Sequence, residues 1–516
     1  MSGTPYRDLV QYHAQTRPHR VAVRNASTGR DVSYLELHER AQRLARHLQN
    51  EGVGRGDRVA LMAYNCAEFF ELQYACSRIG AVTVPLNWRL SVDELEAILQ
   101  DCNPCLLVHD ADFAAVARTL QSRNAIGPLL AIDGGSAESS YEQALASASV
   151  DPVWAQATHE DLCLIMYTSG TSGRSKGVLI THGMVWWNTA NVGFPSKITS
   201  SSVQLVILPL FHIGGINSHA NPILHAGGTV VLQHRFDAGD VLKLIGDPKW
   251  GVTRMTGVPA QYQFLANHPD FASTDLSRIE FLGMGGSPCA LATIEAWTSR
   301  GAPLGQGYGL TEASPGVTLL DAGEIFRKAG SIGKPMPYTQ VRVVDESGKD
   351  VPPGDTGEMW LRGPNITPGY WNAPEATAAA FEDGWFKTGD AARCDAEGFY
   401  YIVDRVKDMY ISGGENVYPA EVENVIYQLS EVAEAAVIGV ADQRWGESGF
   451  AVVVLHKSAS LDAQAILRYC AARLAKFKVP LRVAFVTELP RNAAGKVLKR
   501  ELRQRHGIEA TGLTQI

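Results

Sequence analysis

YTSGTSGRSKGV, residues 167–178, is the stretch of this sequence that decides its interpretation. An apolar run at residues 162–167 predicts a strand leading into the loop, and a helix is predicted to start near Thr181 and His182. Glycines let backbone N–H groups turn toward an anion, hydroxyl groups add donors, and Lys176 adds positive charge. The stretch therefore predicts a phosphate-binding loop, although it lacks the common GxxxxGK[ST] pattern. A flexible Ser/Gly linker would need neither the strand nor the lysine.

Helix and strand signals alternate on both sides of this loop. Residues 33–36 and 91–94 have the capping-box pattern that opens helices. Short apolar runs, such as residues 59–62 and 229–232, have the length and composition of buried strands. This alternation is typical of parallel sheets covered by helices. We therefore predict an α/β fold with a large N-terminal domain at residues 1–404.

The pattern changes after Gly330, where turn residues become dense between short alternating strands. This part predicts a small β-rich subdomain that closes the large domain. Beyond a boundary near residues 404–407, helix and strand signals predict a compact α+β domain at residues 405–516. The overall prediction is a large N-terminal domain hinged to a small C-terminal one.

Composition excludes some classes of protein. The 516 residues carry 46 Lys and Arg against 54 Asp and Glu, a net charge of −8, which argues against a nucleic-acid-binding protein. We find no signal-peptide pattern and no apolar run long enough to span a membrane. The 8 cysteines are scattered, as expected of thiols in a reducing compartment, so we expect a cytoplasmic protein.

Further motifs follow the loop in a fixed order. They are PLFH at residues 209–212, GGSP at 285–288, QGYGLTE at 306–312, WFKTGD at 385–390, DRVKD at 404–408 and PRNAAGK at 490–496. Together with the phosphate loop, this set resembles that of the adenylate-forming superfamily, which includes acyl-CoA synthetases, adenylation domains of nonribosomal peptide synthetases and beetle luciferases. The resemblance covers nearly the whole chain, and the ordered set is far more specific than any one motif.

The resemblance implies a two-step ligase that uses ATP, Mg²⁺ and coenzyme A. Lys496 is the implied catalytic lysine, where a fixed cation would stabilise charge between the carboxylate and the α-phosphate. Thr168 and Glu312 are the implied metal-binding residues, and a carboxylate suits Mg²⁺. Asp390 can accept hydrogen bonds from both ribose hydroxyls. The full implied nucleotide site comprises Thr168, Ser169, Gly170, Thr171, Ser172, Gly173, Lys176, Gly285, Gly286, Ser287, Gln306, Gly307, Tyr308, Gly309, Thr311, Asp390, Ile402 and Arg405.

The second step, attack of CoA on the acyl-AMP, is implied to need a different set of residues. In this superfamily the small domain rotates about a hinge between the two steps, and the resemblance places that hinge at Lys407. One pose would bring in Lys496, and the other would bring in a glycine loop that lets the pantetheine arm pass close to the backbone. The implied CoA site comprises Gly413, Gly414, Glu415, Trp445, Phe477 and Lys478.

The acid-binding pocket is the least defined part of the prediction. His212 is the implied gate of the acyl site, without a role in proton transfer. The candidate walls are Trp187, Asn191, His212, Ile213, Gly214, Asn217, Val258, Met284 and Ser314. This mixture suits a medium- or long-chain fatty acid or an aryl or arylalkenoic acid about equally. The spacing of His219, His225 and His234 fits no common metal site, so we interpret these histidines as structural.

Some positions depart from the superfamily pattern, and a few other functions remain to be compared with the sequence. Ser175 stands where proline is usual, Tyr410 where isoleucine is common, and Val479 where some members have a basic residue near CoA. Transfer to a carrier protein instead of CoA is the main alternative, yet the acyl gate lacks the aspartate of amino-acid adenylation domains. Nothing supports a luciferase-like oxygenase, GxSxG of serine hydrolases is absent, and a catalytically dead binding protein would not need Lys496. A homodimer is the commonest soluble assembly.

Overall fold

The computed structural model describes residues 3–123, 125–133, 136–169, 175–286, 289, 291–345, 347–405, 410–417, 419–456, 459–490, 497 and 499–506. The chain forms two compact units. The first comprises Met1–Trp88, Leu99–Met166 and Gly177–Val403. The second comprises Arg89–Ile98, Tyr167–Lys176 and Asp404–Ile516. Within the described ranges, no helix has the length and apolar character needed to cross a membrane.

The strands, in chain order, are β1 Val21–Asn25, β2 Asp31–Ser33, β3 Arg58–Met62, β4 Val82–Pro85, β5 Leu106–Asp110, β6 Leu129–Ile132, β7 Leu162–Ser169, β8 Ser175–Thr181, β9 Val203–Val206, β10 Thr229–Leu232, β11 Arg254–Gly257, β12 Phe281–Met284, β13 Leu304–Gly309, β14 Gly316–Leu320, β15 Lys334–Pro335, β16 Gln340–Val344, β17 Thr356–Arg362, β18 Phe381–Glu382, β19 Trp385–Cys394, β20 Tyr400–Arg405, β21 Tyr410–Ser412, β22 Glu415–Val417, β23 Val432–Asp442, β24 Gly446–Leu455 and β25 Arg482–Phe485.

The α-helices are α1 Leu9–Thr16, α2 Tyr34–Asn50, α3 Glu68–Ile79, α4 Val92–Cys102, α5 Ala114–Ser122, α6 Ser140–Ser147, α7 His182–Gly193, α8 Ile213–Gly215, α9 Asn221–Ala226, α10 Ala238–Gly246, α11 Pro259–Ala266, α12 Leu291–Thr298, α13 Pro374–Ala380, α14 Pro419–Ile426, α15 Ala463–Ala471 and α16 Lys499–His506. A π-helical segment, Ile216–Ala220, joins α8 to α9.

The largest sheet has nine strands in the order β15-β14-β13-β12-β11-β9-β10-β1-β2. The six strands from β13 to β1 in this order run parallel to one another. Side chains of alternate residues point to opposite faces. Leu205, Met255 and Leu282 pack with helices α10–α12 on one face, whereas Val206 and Val230 pack with α8 and α9 on the other. Helices thus cover both faces of this sheet, as parallel strands require.

Two further sheets complete the described fold outside the C-terminal part. One has six strands in the order β6-β5-β3-β4-β7-β8, and its pairings among β3, β4, β5 and β6 are parallel. The other has five strands in the order β16-β17-β19-β18, with β20 paired to β19, and it forms the β-rich part of the chain. Its core includes Met359, Leu361 and Phe386.

The second unit contains a five-stranded sheet, β22-β21-β24-β23, with β25 parallel to β24. Alternation along β23 and β24 gives this sheet two apolar faces. Val437 and Val453 pack with residues of α14 and α15, whereas Ile438 and Val452 pack with Leu502 of α16. The predicted fold class, a large N-terminal α/β domain with a β-rich part and a small α+β C-terminal domain, is confirmed.

Local signals in the sequence are confirmed at the starts of three helices, whereas strand β8 was among the strands that were not predicted. Ser33 caps α2 by accepting from the Glu36 N–H, and Ser91 and Glu94 form a reciprocal capping box. Helix α7 begins at His182 with Thr181 as its cap, as predicted. The segment between Lys176 and that helix is not a loop but strand β8. Its Val-Leu-Ile run at residues 178–180 is the strand signal that the prediction overlooked.

A buried ion pair holds the N-terminal helix against α3. Asp8 caps α1 by accepting from the Gln11 N–H, and its carboxylate also accepts from Arg78 Nε at 2.9 Å. Both charged side chains have 0% exposure to solvent. Arg78 donates further to the carbonyl oxygen and Nδ1 of His38 in α2. One guanidinium therefore connects three helices.

We predict that Asp8→Ala lowers the free energy of unfolding of this unit by about 3–5 kcal/mol, because it leaves the Arg78 guanidinium buried without its counter-ion. The matched control is Asp31→Ala, whose ion pair with Arg24 lies at the surface and is worth about 1 kcal/mol or less. Urea denaturation followed by circular dichroism measures both variants. Equal denaturation midpoints for the two would contradict the role given to the buried pair.

Candidate active site

Three predicted motifs and Val258 lie at one edge of the nine-stranded sheet, because each lies at the carboxyl end of a parallel strand. The PLFH motif follows β9, Val258 follows β11, Gly285 follows β12, and the QGYGLTE motif includes the end of β13. Ligands of open α/β sheets bind in the crevice outside the carboxyl ends of the strands. The topology therefore gathers predicted nucleotide-binding and acid-binding residues at the edge where a ligand is expected.

The QGYGLTE motif is held in a tight turn. A side-chain Cβ at Gly309 would lie 2.1 Å from the Pro315 carbonyl oxygen, so only glycine fits. Tyr308 Oη donates to Asp390 Oδ2 at 2.5 Å, which joins two of the predicted nucleotide-binding residues. Burial, followed by the nearby Asp390 carboxylate, raises the pKa of Tyr308 well above its usual value. The phenol therefore remains a proton donor and fixes the orientation of the carboxylate.

Glu312 is held at both its backbone and its side chain. Its Oε1 accepts from Tyr370 Oη at 3.0 Å, and its carbonyl oxygen accepts from the Thr367 N–H at 2.7 Å. Tyr370 was not predicted from the sequence, because it lies 58 residues away in the chain and in no recognised motif. An oriented, half-buried carboxylate has the donor chemistry that Mg²⁺ prefers.

The turn after β9 positions His212. The imidazole accepts from the Gly214 N–H at 3.2 Å through Nδ1 and so caps the short helix α8. A Cβ at Gly215 would lie 2.0 Å from the Pro209 carbonyl oxygen. The turn can close only with glycine at this position. The gate role of His212 stays a prediction. Its Nδ1 is already engaged by the backbone N–H of Gly214.

Buried amides form a scaffold behind the predicted acid pocket. Asn217 Nδ2 donates to Ser314 Oγ at 3.0 Å, and Asn188 Nδ2 donates to the Asn217 carbonyl oxygen at 2.6 Å. Asn191 donates to Thr339 Oγ1 and accepts from the Tyr338 N–H. Asn188, Asn191, Asn217 and Ser314 are fully buried. Asn188, Asn217 and Ser314 form one chain of hydrogen bonds, and Asn191 bonds separately to Tyr338 and Thr339. The sequence prediction did not include Asn188.

The remaining predicted pocket walls differ in their placement. The Trp187 ring packs on Tyr338, with ring centroids 4.9 Å apart, and Val258 is half-buried at the end of β11. Met284 packs in the core on the face of the sheet that α10–α12 cover, and Ile213 is buried in the core on the opposite face. Alternation in β12 directs Met284 away from the face that carries Thr256. The role of Met284 as a wall of the acid pocket stays a prediction.

The phosphate loop and the catalytic lysine are described only in part. Thr168 lies near the end of β7, and Lys176 is the second residue of β8, so two adjacent strands flank the loop. Several predicted site residues fall outside the described residues, or have side chains that do: Ser169, Gly170, Thr171, Ser172, Gly173, Ser287, Arg405, Lys407 and Lys496. Their roles stay predictions. Ile402 packs at the edge of the β-rich core.

In the second unit, two parts of the predicted CoA site come together. Gly413 and Gly414 have φ angles of 60° and 82°, a conformation that favours glycine. The Gly413 N–H donates to the Trp445 carbonyl oxygen at 2.8 Å, and a Cβ at Gly413 would lie 2.6 Å from the Trp445 ring. The glycine loop and the tryptophan are thus in direct contact. Glu415 is buried and ion-paired with Arg89.

Lys478, also predicted for the CoA site, lies between two carboxylates. Its Nζ is 2.7 Å from Glu94 Oε1 and 2.6 Å from Glu421 Oε1, and its side chain is only 3% exposed. Burial raises the pKa of Glu421 to about 7, although the Lys478 ammonium opposes the shift. In this arrangement the ammonium neutralises buried acids. Contact of Lys478 with CoA would require it to leave them, so that role stays a prediction.

Within the described ranges, no group of three or more His, Cys, Asp and Glu side chains could hold a metal ion. His219 is buried and His225 is half-buried. Removal from water lowers the pKa of these histidines to about 3 and about 4 respectively. Both rings are therefore neutral at neutral pH.

Comparisons with known proteins identify the family of this chain. The profile of AMP-binding enzymes matches residues 10–371, and that of the AMP-binding enzyme C-terminal domain matches residues 421–496. The chain is 43% identical over 494 residues to a feruloyl-CoA synthase from Amycolatopsis sp., covering 96% of this chain and 97% of the relative. It is 39% identical over 499 residues to an indoleacetate–CoA ligase from Aromatoleum aromaticum, with coverage of 96% and 97%.

A fatty-acid ligase and a solved structure extend the same comparison. The long-chain-fatty-acid–CoA ligase FadD13 from Mycobacterium tuberculosis is 37% identical over 504 residues, with coverage of 96% of this chain and 98% of the relative. A double mutant of o-succinylbenzoate CoA synthetase from Bacillus subtilis, bound to a product analogue, superposes with a TM-score of 0.87 at 33% identity, covering 97% of this chain and 98% of the other. The chain therefore belongs to the AMP-binding enzymes, in the acyl- and aryl-CoA ligase branch whose members use ATP to join a carboxylic acid to coenzyme A.

Proposed function

We propose that this ligase acts on an aryl or arylalkenoic acid, and that the residues at the carboxyl edge of the nine-stranded sheet bind the nucleotide and the acid. The ATP-dependent ligation itself follows from the family. The single observation that carries the proposal for the site is the Tyr308–Asp390 hydrogen bond, because it joins two separate motifs into one nucleotide-binding surface.

In the first half-reaction, a carboxylate oxygen of the acid attacks the α-phosphorus of ATP, and pyrophosphate leaves. The residues of the enzyme contribute positioning and charge stabilisation, as in phosphoryl transfer generally. We assign Asp390 to the ribose hydroxyls, Lys176 and the phosphate loop to the phosphates, and Lys496 to the developing charge between the carboxylate and the α-phosphorus. Thr168 and Glu312 are the residues that would hold Mg²⁺, which neutralises phosphate charge when bound.

In the second half-reaction, the CoA thiolate attacks the carbonyl carbon of the acyl-AMP, and AMP leaves with the electron pair of the broken C–O bond. Gly413, Gly414 and Trp445 are assigned to the pantetheine arm, since they already form one contact surface. We propose that the small domain rotates about Lys407 between the two half-reactions. Delivery to a carrier protein is the alternative for this step.

Two observations favour an aryl acid over a fatty acid. The feruloyl-CoA synthase and the indoleacetate–CoA ligase are 43% and 39% identical to this chain. The long-chain-fatty-acid–CoA ligase is 37% identical to it. The Trp187–Tyr338 aromatic pair also lies in the part of the fold predicted to border the acid. Aromatic side chains pack well against flat aryl groups.

We further expect a cytoplasmic enzyme and a homodimeric assembly.

The acid class is tested by incubating the protein with ATP, Mg²⁺ and a panel of carboxylic acids, with and without CoA. The panel runs from acetate and long fatty acids to benzoate, indoleacetate and cinnamate types. We predict multiple-turnover AMP release with an aryl acid only when CoA is present. Turnover with fatty acids alone would overturn the acid class. Release of about one pyrophosphate per enzyme, with no multiple turnover when CoA is added, would favour the carrier-protein alternative.

The role of Lys496 is tested on the two half-reactions separately. We predict that Lys496→Ala lowers acyl-AMP formation at least ~10²-fold, because it removes a cation from the transition state. The variant should form the thioester from supplied acyl-AMP and CoA at nearly the original rate. Lys243→Ala, at an exposed surface lysine, is the control and should change neither rate. Equal losses in both half-reactions would contradict the two-pose proposal.

The role of Asp390 is tested with a graded pair of variants. Asp390→Asn should raise the KM for ATP about 10–100-fold, since hydrogen bonds to a charged group contribute about 1.5–3 kcal/mol. Tyr308→Phe keeps the ring and the carboxylate but loses the hydrogen bond, so its effect should be smaller. Asp350→Asn, at an exposed carboxylate, serves as the control. An unchanged KM for ATP in Asp390→Asn would remove Asp390 from the nucleotide site.

A further inference from the structure

A small polar cavity lies on one face of the nine-stranded sheet, next to the predicted acid pocket. Its volume is about 10 Å³, roughly the space of one water molecule. Gln204, Val206 and Leu208 line it from β9 and the residues that follow, Thr256 lines it from β11, and Gly214 and His219 line it from the helical segments above. Gly214 is one of the predicted walls of the acid pocket, so the cavity adjoins that pocket.

The sheet register explains why these side chains meet. Residues 204, 206 and 208 alternate and therefore share one face. Val206 pairs with Thr256, which places Thr256 on the same face. His219 approaches this face from the π-helical segment Ile216–Ala220. π-Helical segments are rare in proteins, and many of those that occur lie at functional sites.

Two buried polar atoms of the lining residues have no hydrogen-bond partner within the described ranges. They are Nε2 of His219 and Oε1 of Gln204, whose residues are 5% and 1% exposed. Gln204 Nε2 donates to the Leu205 carbonyl oxygen, which orients the amide and leaves Oε1 as an acceptor. A buried polar atom without a partner costs about 1–3 kcal/mol, so its retention calls for an explanation.

The two ring nitrogens of His219 have different surroundings. Thr256 Oγ1 and Ser218 Oγ lie 2.9 and 3.0 Å from Nδ1, and either hydroxyl can donate to this atom or accept from it. Burial and then Arg254 lower the pKa of His219 to about 3, so the ring is neutral at neutral pH and carries one proton. With that proton on Nε2, His219 offers a donor and Gln204 Oε1 an acceptor, and both atoms lack partners within the described ranges.

We infer that this cavity receives a hydroxyl group on the tail of the acid. A hydroxyl can accept from His219 Nε2–H and donate to Gln204 Oε1 at the same time, and it occupies about the volume of one water molecule. This inference rests on the proposed aryl-acid function and makes it narrower: the substrate is a hydroxylated aryl acid. The reacting carboxylate does not suit the cavity, because its lining residues carry no positive charge that could compensate a buried anion.

The inference is tested by a ratio of kcat/KM values on the intact enzyme. Hydroxycinnamates substituted at position 3 or 4 are each compared with the methylcinnamate substituted at the same position, because hydroxyl and methyl have nearly equal size. We predict that one hydroxylated acid is preferred at least ~10-fold over its methyl partner, since the methyl compound leaves both polar atoms unpaired. The loss of this preference in Gln204→Met is the second expected result.

Gln233→Met is the matched control for that variant. Gln233 is also a buried glutamine whose Oε1 lacks a partner within the described ranges, but it does not line the cavity. This control should keep the preference for the hydroxylated acid. Thermal unfolding of each variant identifies loss of folding, and the comparison in the unaltered enzyme stands without any variant.

The outcomes separate the inference from the proposed function. CoA-dependent AMP release from aryl acids with no preference for hydroxyl over methyl at either position would overturn the inference and leave the proposed function standing. A preference that survives equally in Gln204→Met and Gln233→Met would also overturn the assignment to this cavity. Absence of turnover with every aryl acid would overturn both.

Discussion

The parallel register of β9, β11, β12 and β13 is the constraint on which the candidate site depends. Parallel strands end at the same edge of a sheet, so the turns after them meet there even though they are far apart in the chain. The PLFH turn, Val258, Gly285 and the QGYGLTE turn are separated by up to about a hundred residues in sequence. Backbone pairing between the strands sets the positions of these turns. The side chains of the candidate site are therefore placed by the sheet that carries them.

Side chains then fix the groups that this edge presents. Tyr308 holds Asp390, and Tyr370 holds Glu312. Buried asparagines connect α7 to the π-helical segment Ile216–Ala220, and connect that segment to Ser314. Each of these hydrogen bonds joins residues from different elements. A ligand site on such a scaffold keeps its geometry without the ligand, which lowers the entropic cost of binding. Asp390 and Glu312, the carboxylates predicted to bind the ribose and the metal ion, are each oriented by a tyrosine hydroxyl.

Sequence patterns predicted the fold class and the ordered motifs because those depend on local periodicity and on compact runs of residues. Strand β8 was missed because the glycine- and hydroxyl-rich loop before it dominated the interpretation of Ser175–Thr181. The register of β12 places Met284 in the core on the face that α10–α12 cover, which the sequence pattern did not predict. Whether a strand residue faces a pocket or the core depends on pairing with neighbours, which no local pattern contains. Asn188 and Tyr370 were absent from the predicted site for a related reason: their hydrogen-bond partners lie 29 and 58 residues away in the chain.

The most direct test of the account is the fate of a carboxylate oxygen. The acid is labelled with ¹⁸O in its carboxylate and incubated with ATP, Mg²⁺, CoA and the protein, and the AMP produced is analysed by mass spectrometry. If a carboxylate oxygen attacks the α-phosphorus, one labelled atom must appear in each AMP, because the C–O bond breaks when CoA takes the acyl group. AMP without label, or label in the pyrophosphate, would contradict activation through an acyl-AMP.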